Sequence, residues 1–195
     1  MPTPVRLFIS GGPDQEPARE SLGRALAEMP VNVGWVIKRT PDVDSVAECH
    51  LCLLLMGADI VAPVGLELWW ARRTEKPILA YRKDMIRTPA GQVFVQENAG
   101  LDWTRFTDLA ALRRAVLTDL ARFLLGHAGR YGLTPLEIDR LHVLIAQMRR
   151  TATRQAGGAA GEETPPEPAG AGGGGVILAP GKDEPPGARV VGEAL

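Results

Sequence analysis

Among the residues able to do chemistry, Glu67 stands out. It sits in the stretch PVGLELWWARRTEKPILAY, residues 63–81, where Leu66, Leu68, Trp69 and Trp70 make nearly the whole turn around it apolar. A carboxyl group in such surroundings is partly desolvated, which raises its pKa and suits it to acid/base or nucleophilic work. A glutamate in the first turn of a helix is also stabilised by the helix dipole, which needs no function. Two other short stretches carry small or polar residues where a ligand could approach the backbone: Ser10-Gly11-Gly12, and Gly57-Ala58-Asp59. Neither is a Walker motif, and no GxGxxG is present, so the P-loop and dinucleotide fingerprints are absent. The glycines are equally explained by tight turns.

Cys49 and Cys52 form a CxxC with His50 inside it. A structural zinc site needs four ligands, and the remaining histidines, His127 and His142, lie far along the chain. A thioredoxin-like pair belongs where a strand feeds a helix, whereas here the apolar run Leu51 to Met56 follows. Both thiols are expected at the start of a buried strand, with no metal and no cofactor.

The elements that must position these residues can be read from apolar spacing. Val5 to Ser10 reads as a strand closed by Gly11-Gly12-Pro13, and Glu16 to Met29 as a helix with Ala18, Leu22, Ala25, Leu26 and Met29 on its inner face. Strands are expected over Val31 to Ile37, His50 to Met56 and Pro77 to Tyr81, with helical turns within Pro41 to Glu48 and a helix over Leu66 to Thr74. The unbroken apolar run before Met56 is the pattern of a central parallel strand covered on both faces. Alternating strands and helices predict a three-layer α/β fold with a mainly parallel sheet of four or five strands. Residues 83–106 read as irregular, with a short element near Gln92 to Gln96. Asp108 opens a long amphipathic helix. Thr134-Pro135-Leu136-Glu137 has the form of a capped helix start, with the helix running to about Arg150. The expected division is an α/β domain over residues 1–126, a helical extension over 127–150 that packs on the domain or on a second copy, and a tail over 151–195.

In such a sheet, ligands bind at the carboxyl ends of the strands. Glu67, two residues after Gly65, is then expected near the same rim as Ser10 and Asp59.

The bulk composition narrows the field. The last 45 residues hold 11 of the 22 glycines and 6 of the 16 prolines and no aromatic residue, a composition expected to remain disordered. The formal net charge is −1, and no Lys/Arg-rich stripe interleaved with aromatics appears, so nucleic acid is not an expected partner. The opening MPTPVRLFISGG lacks a basic region followed by a long apolar one, and no apolar run is long enough to cross a bilayer. A cytoplasmic protein is expected.

The run VRLFISGGPD, a following ARESL, the strand LLLMG and then PVGLELWWARRTEKPILAY together resemble the TIR-like superfamily. More narrowly they are similar to the domains that open with VFISS and often precede STAND-type NTPase modules. The layout of a strand ending in small residues and a G-x-E-x-x-x-A helix with KPI behind it is also similar to nucleoside 2-deoxyribosyltransferases. The likeness covers about Val5 to Lys83, weakening towards Leu125. It implies a flavodoxin-like sheet and cleavage of an N-glycosidic bond, as in NAD glycohydrolases or deoxyribosyltransferases, by a helix-borne glutamate that matches Glu67. It also implies that Ser10, Gly11, Gly12, Gly57, Asp59 and Gly65 contact a nucleotide or nucleoside. The alternative is a non-catalytic signalling or interaction module. In that case Glu67 is a helix-start residue, and the Trp69-Trp70 surface with the C-terminal helices forms a homo-oligomer.

Overall fold

The computed structural model describes residues 4–38 and 43–158. Five strands, β1 (Val5–Gly11), β2 (Trp35–Lys38), β3 (Leu51–Met56), β4 (Ile78–Lys83) and β5 (Trp103–Phe106), form one sheet in the order β2-β1-β3-β4-β5, and every pairing is parallel. This is the flavodoxin-like strand order. The α/β class and the parallel sheet expected from the alternating pattern are both present.

The α-helices among the described residues are α1 (Glu16–Ala27), α2 (Val43–Glu48), α3 (Val64–Arg73), α4 (Pro89–Glu97), α5 (Leu109–Gly126), the single turn α6 (Ala128–Tyr131) and α7 (Pro135–Gly158). Side chains of a strand point alternately to its two faces, so each strand contributes to both layers. Val5, Leu7, Ile9, Leu51, Leu53, Leu55, Tyr81 and Phe106 pack with α1 and α5 on one face, and Leu141 of α7 joins the same cluster. On the other face Phe8 and Cys52 meet Val46 of α2 and Ala71 of α3, while Leu54 and Ala80 meet Val64 and Leu68 of α3 and Phe94 of α4. Every residue of β3 is buried, which is why its sequence shows no polar alternation.

Several element bounds differ from the sequence reading. The strand expected over Val31 to Ile37 begins only at Trp35. The backbone before it is used elsewhere: Val31 N–H donates to Met29 O, Asn32 N–H to the Glu137 carboxylate, and Gly34 O accepts from Val5 N–H. The strand expected to end at Tyr81 continues to Lys83 because Arg82 and Lys83 pair with Arg105 and Phe106. Residues 83–106, read as irregular, contain a helix and the edge strand. The helix α4 is signed by Thr88 and Pro89: the Thr88 hydroxyl accepts from Gly91 N–H at 3.1 Å, and Pro fills a first-turn position where no donor is needed. The last helix runs past Arg150 to Gly158, since no breaker intervenes before Gly157. Beyond Gly158 the expected tail lies outside the described residues.

No helix among the described residues is long and apolar enough to cross a membrane. Cys49 and Cys52 are free thiols, each 1 % exposed, and no group of three or more His, Cys, Asp or Glu among the described residues could hold a metal ion.

Candidate active site

The strands β1 and β3 are neighbours in the sheet, and the helices that follow them lie on opposite faces: α1 packs on one side of the sheet, α3 on the other. A crevice therefore opens at the carboxyl end of β1, at the point where the strand order reverses. A cavity of about 270 Å³ occupies it. Ile9, Gly11, Pro13, Glu16 and Arg19 line one wall from β1 and α1, and Val61, Ala62, Pro63 and Glu67 line the other from the β3–α3 loop and α3.

Ser10 and Glu67, 57 positions apart in sequence, meet beside this cavity, where the Ser10 hydroxyl donates to the Glu67 carboxylate at 2.5 Å. Two local rules bring them together. Ser10 follows Phe8 by two residues and so shares its face, the face covered by α3. Glu67 lies in the first turn of α3, directly above that strand end. Ser10 is 1 % exposed and Glu67 5 %. Burial pushes the Glu67 carboxyl above the ordinary carboxylate range, while the Ser10 hydrogen bond and the charge of Arg19 pull it back down without offsetting the desolvation. The group is thus a buried carboxyl that is reluctant to ionise, with one hydrogen-bond donor and one nearby cation.

Arg19 belongs to no motif, yet it organises the β1–α1 loop. Its guanidinium donates to Gly11 O and, at 3.0 Å, to Gly12 O, and pairs with Glu16 at 3.1 Å. A cation near the start of a helix opposes the helix dipole, and that conflict was the available signal. Asp14 belongs to no motif either. Its carboxylate accepts from Gln15 Nε2 at 2.9 Å and from Ala58 N–H at 3.2 Å, so it ties the loop after β1 to the loop after β3.

The remaining sequence candidates are placed as follows. Gly11 lines the cavity, and Gly12 lies beside it as an acceptor for Arg19. At Gly57 any side chain would run into the Asp14 carboxylate and the Gln15 amide, so its smallness serves the packing of two loops. Asp59 does not line the cavity: it accepts from Ile60 N–H at 2.8 Å and from the Thr88 hydroxyl, joining the β3–α3 loop to the start of α4. Gly65 has open space where a side chain would stand. The structure therefore brings Ser10, Gly11 and Glu67 together with Arg19 and Glu16, and leaves Asp59, Gly57 and Gly65 outside the cavity wall. The tryptophans divide: Trp70 packs against the Phe8 and Val46 cluster, while Trp69 is 50 % exposed and carries the Arg73 guanidinium 5.4 Å from its ring centre.

Neither thiol of the CxxC is poised to react. Burial pushes Cys49 up despite the opposing charge of Lys76. It pushes Cys52 up further, with the charges of Cys49 and Glu67 acting in the same direction. Both therefore stay protonated and weakly nucleophilic at neutral pH.

No protein-family model matches the sequence, and no curated protein matches it. Among solved structures the chain is similar to a CMP N-glycosidase of Clostridium botulinum, BcmB, with 17 % identity over 57 % of this chain and 97 % of that one and a TM-score of 0.43. At that level of likeness, function has to be argued from the chemistry of the site itself.

Proposed function

We propose that the crevice at the end of β1 binds a nucleoside or nucleotide and that Glu67 cleaves its N-glycosidic bond. The observation that carries this reading is the desolvated carboxyl of Glu67 at the wall of a cavity, held by Ser10 and biased by Arg19. As the bond between the anomeric carbon and the base lengthens, positive charge develops on the sugar. A carboxylate in a partly dry site stabilises that charge more strongly than one in water, or captures the carbon as a glycosyl ester. In the second course the carboxylate oxygen forms the new bond, the base leaves with the bonding pair, and water or a second base later displaces the glutamate. Ser10 fixes the carboxylate rotamer, and the Arg19 charge favours the ionised form that either course needs. A helix-borne glutamate acting on the sugar agrees with the resemblance to deoxyribosyltransferases and NAD-cleaving TIR enzymes.

The test is to incubate the protein with NAD, nucleosides and nucleoside monophosphates and to follow free base by chromatography. Release by the wild type and its loss, by about a hundredfold or more, in Glu67→Gln is the expected result. No release at high enzyme concentration, or equal release by the variant, overturns the reading.

A second reading, an interaction module, is favoured by a different observation. Leu66 and Trp69 are 53 % and 50 % exposed on the outer side of α3. Tryptophan is among the side chains that most often anchor a protein contact, and Leu66 one turn away extends the apolar patch around Trp69. If this face makes a homo-oligomer, sedimentation shows self-association that Trp69→Ser abolishes. Monomeric behaviour at all concentrations rules that form of it out.

A further inference from the structure

A second group of charges lies at the carboxyl rim of the sheet, away from the residues that line the Glu67 cavity. Arg82 of β4 and Arg105 of β5 are direct partners across the parallel ladder, so both guanidinium groups leave the sheet on the same face. That face is the one covered by α4, since Ala80 and Trp103, the pair two residues back and so on the same face, pack there with Phe94. Like charges opposite one another on neighbouring strands cost stability. A third guanidinium, Arg87, is tied to the same corner by donation to Lys83 O and, at 3.5 Å, to Met85 O.

None of the three forms a salt bridge among the described residues, and the Nε atoms of Arg82 and Arg87 are buried without a hydrogen-bond partner. Their mutual proximity is visible in Arg87, whose proton affinity is lowered by burial and then by Arg82 and Arg105. The Asp84 carboxylate is the opposing group. Nearby, Asp59 is engaged with Ile60 N–H and the Thr88 hydroxyl. Three guanidinium groups less the Asp84 carboxylate leave an excess of positive charge that a doubly charged anion would neutralise. Guanidinium forks match the oxygens of phosphate in geometry as well as charge.

We infer that Arg82, Arg87 and Arg105 form a binding site for a phosphate group, either as the free ion or as a monoester. The site is independent of the glycosidic reading of Glu67 and stands or falls on binding alone. A plain edge-guarding role, in which charge on the edge strand β5 discourages pairing between sheets, accounts for Arg105 but not for Arg82, which lies on an interior strand.

The experiment uses the full chain in low-salt, phosphate-free buffer. Inorganic phosphate and phenyl phosphate are titrated by calorimetry and by thermal melting, with sodium chloride at matched ionic strength as the control. Wild type is expected to bind at least one of the two and to gain melting temperature beyond the chloride control. Arg82→Gln and Arg105→Gln are each expected to weaken that binding by about tenfold or more. Without added anion Arg105→Gln is expected to melt higher than wild type, and phosphate closes the gap. Arg105 is exposed, so its variant tests the site even if Arg82→Gln fails to fold. A chloride effect equal to that of phosphate, or phosphate binding unchanged in Arg105→Gln, overturns the assignment.

Discussion

Moving a carboxyl group out of water favours its protonated form, and Glu67, 5 % exposed, is folded into such a place. A group whose pKa is higher in the folded than in the unfolded chain contributes its full stability below the unfolded value. That contribution is lost as pH climbs through the folded value. Burial raises the Glu67 carboxyl, so the wild type is expected to lose stability as pH climbs above the ordinary carboxylate range. Glu67→Gln cannot ionise and still offers an amide oxygen to the Ser10 hydroxyl. It should therefore melt above wild type near about pH 8 and converge with it near about pH 4, each tenfold difference in proton affinity being worth about 1.4 kcal/mol. Parallel melting curves across that range would show that the carboxylate is not disfavoured by the fold. The same balance governs the proposed reaction, which needs the ionised form. Ser10→Ala removes a hydrogen bond that lowers the Glu67 pKa, so the rise of base release with pH should move to higher pH. A profile that stays in place or moves down separates Ser10 from the titration of Glu67.

At the scale of elements, α4 fixes the outer side of the loop that carries the cavity wall. Its cap residue Thr88 bonds to Asp59 and to Ala58 O, and Gly91 lies against the same loop. An alanine at Gly91 would gain about 1 kcal/mol of helix propensity. Its added carbon, however, would stand 2.8 Å from Ala58 O, a backbone atom that cannot swing aside. The clash is expected to win, so Gly91→Ala should destabilise by about 1–3 kcal/mol in chemical denaturation. A stabilised variant would mean that α4 can shift freely on the loop. This corner was the least legible part of the sequence. Thr88-Pro89 carries the same threonine and proline signature as Thr134-Pro135, but a third-position glycine in place of Glu137 and the short span to Gly100 obscured it. The strand Trp103–Phe106 is only four residues long, and its strand character depends on pairing with β4, which no local pattern reports.

At the scale of the whole molecule, the candidate site exists because β1 and β3 are neighbours. Their register sets Ser10 beside Leu54, and α3 then carries Glu67 over Ser10. The alternation of strands and helices made the parallel sheet legible, and the rule that ligands bind at strand ends placed Glu67 near Ser10. Strand order is a global property, so the positions of Arg19, Asp14 and the Arg82–Arg105 pair could not be derived from spacing alone. The C-terminal helices pose the same problem in a testable form, because an amphipathic helix does not state which surface it covers. In the folded chain α7 packs on α5, with Leu141 wholly buried in the cluster that also contains Leu120, Leu124 and Tyr131. That contact makes α7 part of the main core. Leu141→Ala is therefore expected to cost about 2–5 kcal/mol through lost burial and the cavity left behind. The melting temperature should fall by at least about 4 °C for a body of this size. The loss should appear in one cooperative transition, with far-ultraviolet circular dichroism and tryptophan fluorescence coincident. The four tryptophans lie outside α7, so the two probes separate if that helix melts alone. An early helical loss with the tryptophan signal unmoved would show that α7 is an appendage, not a layer of the fold that holds Glu67 in place.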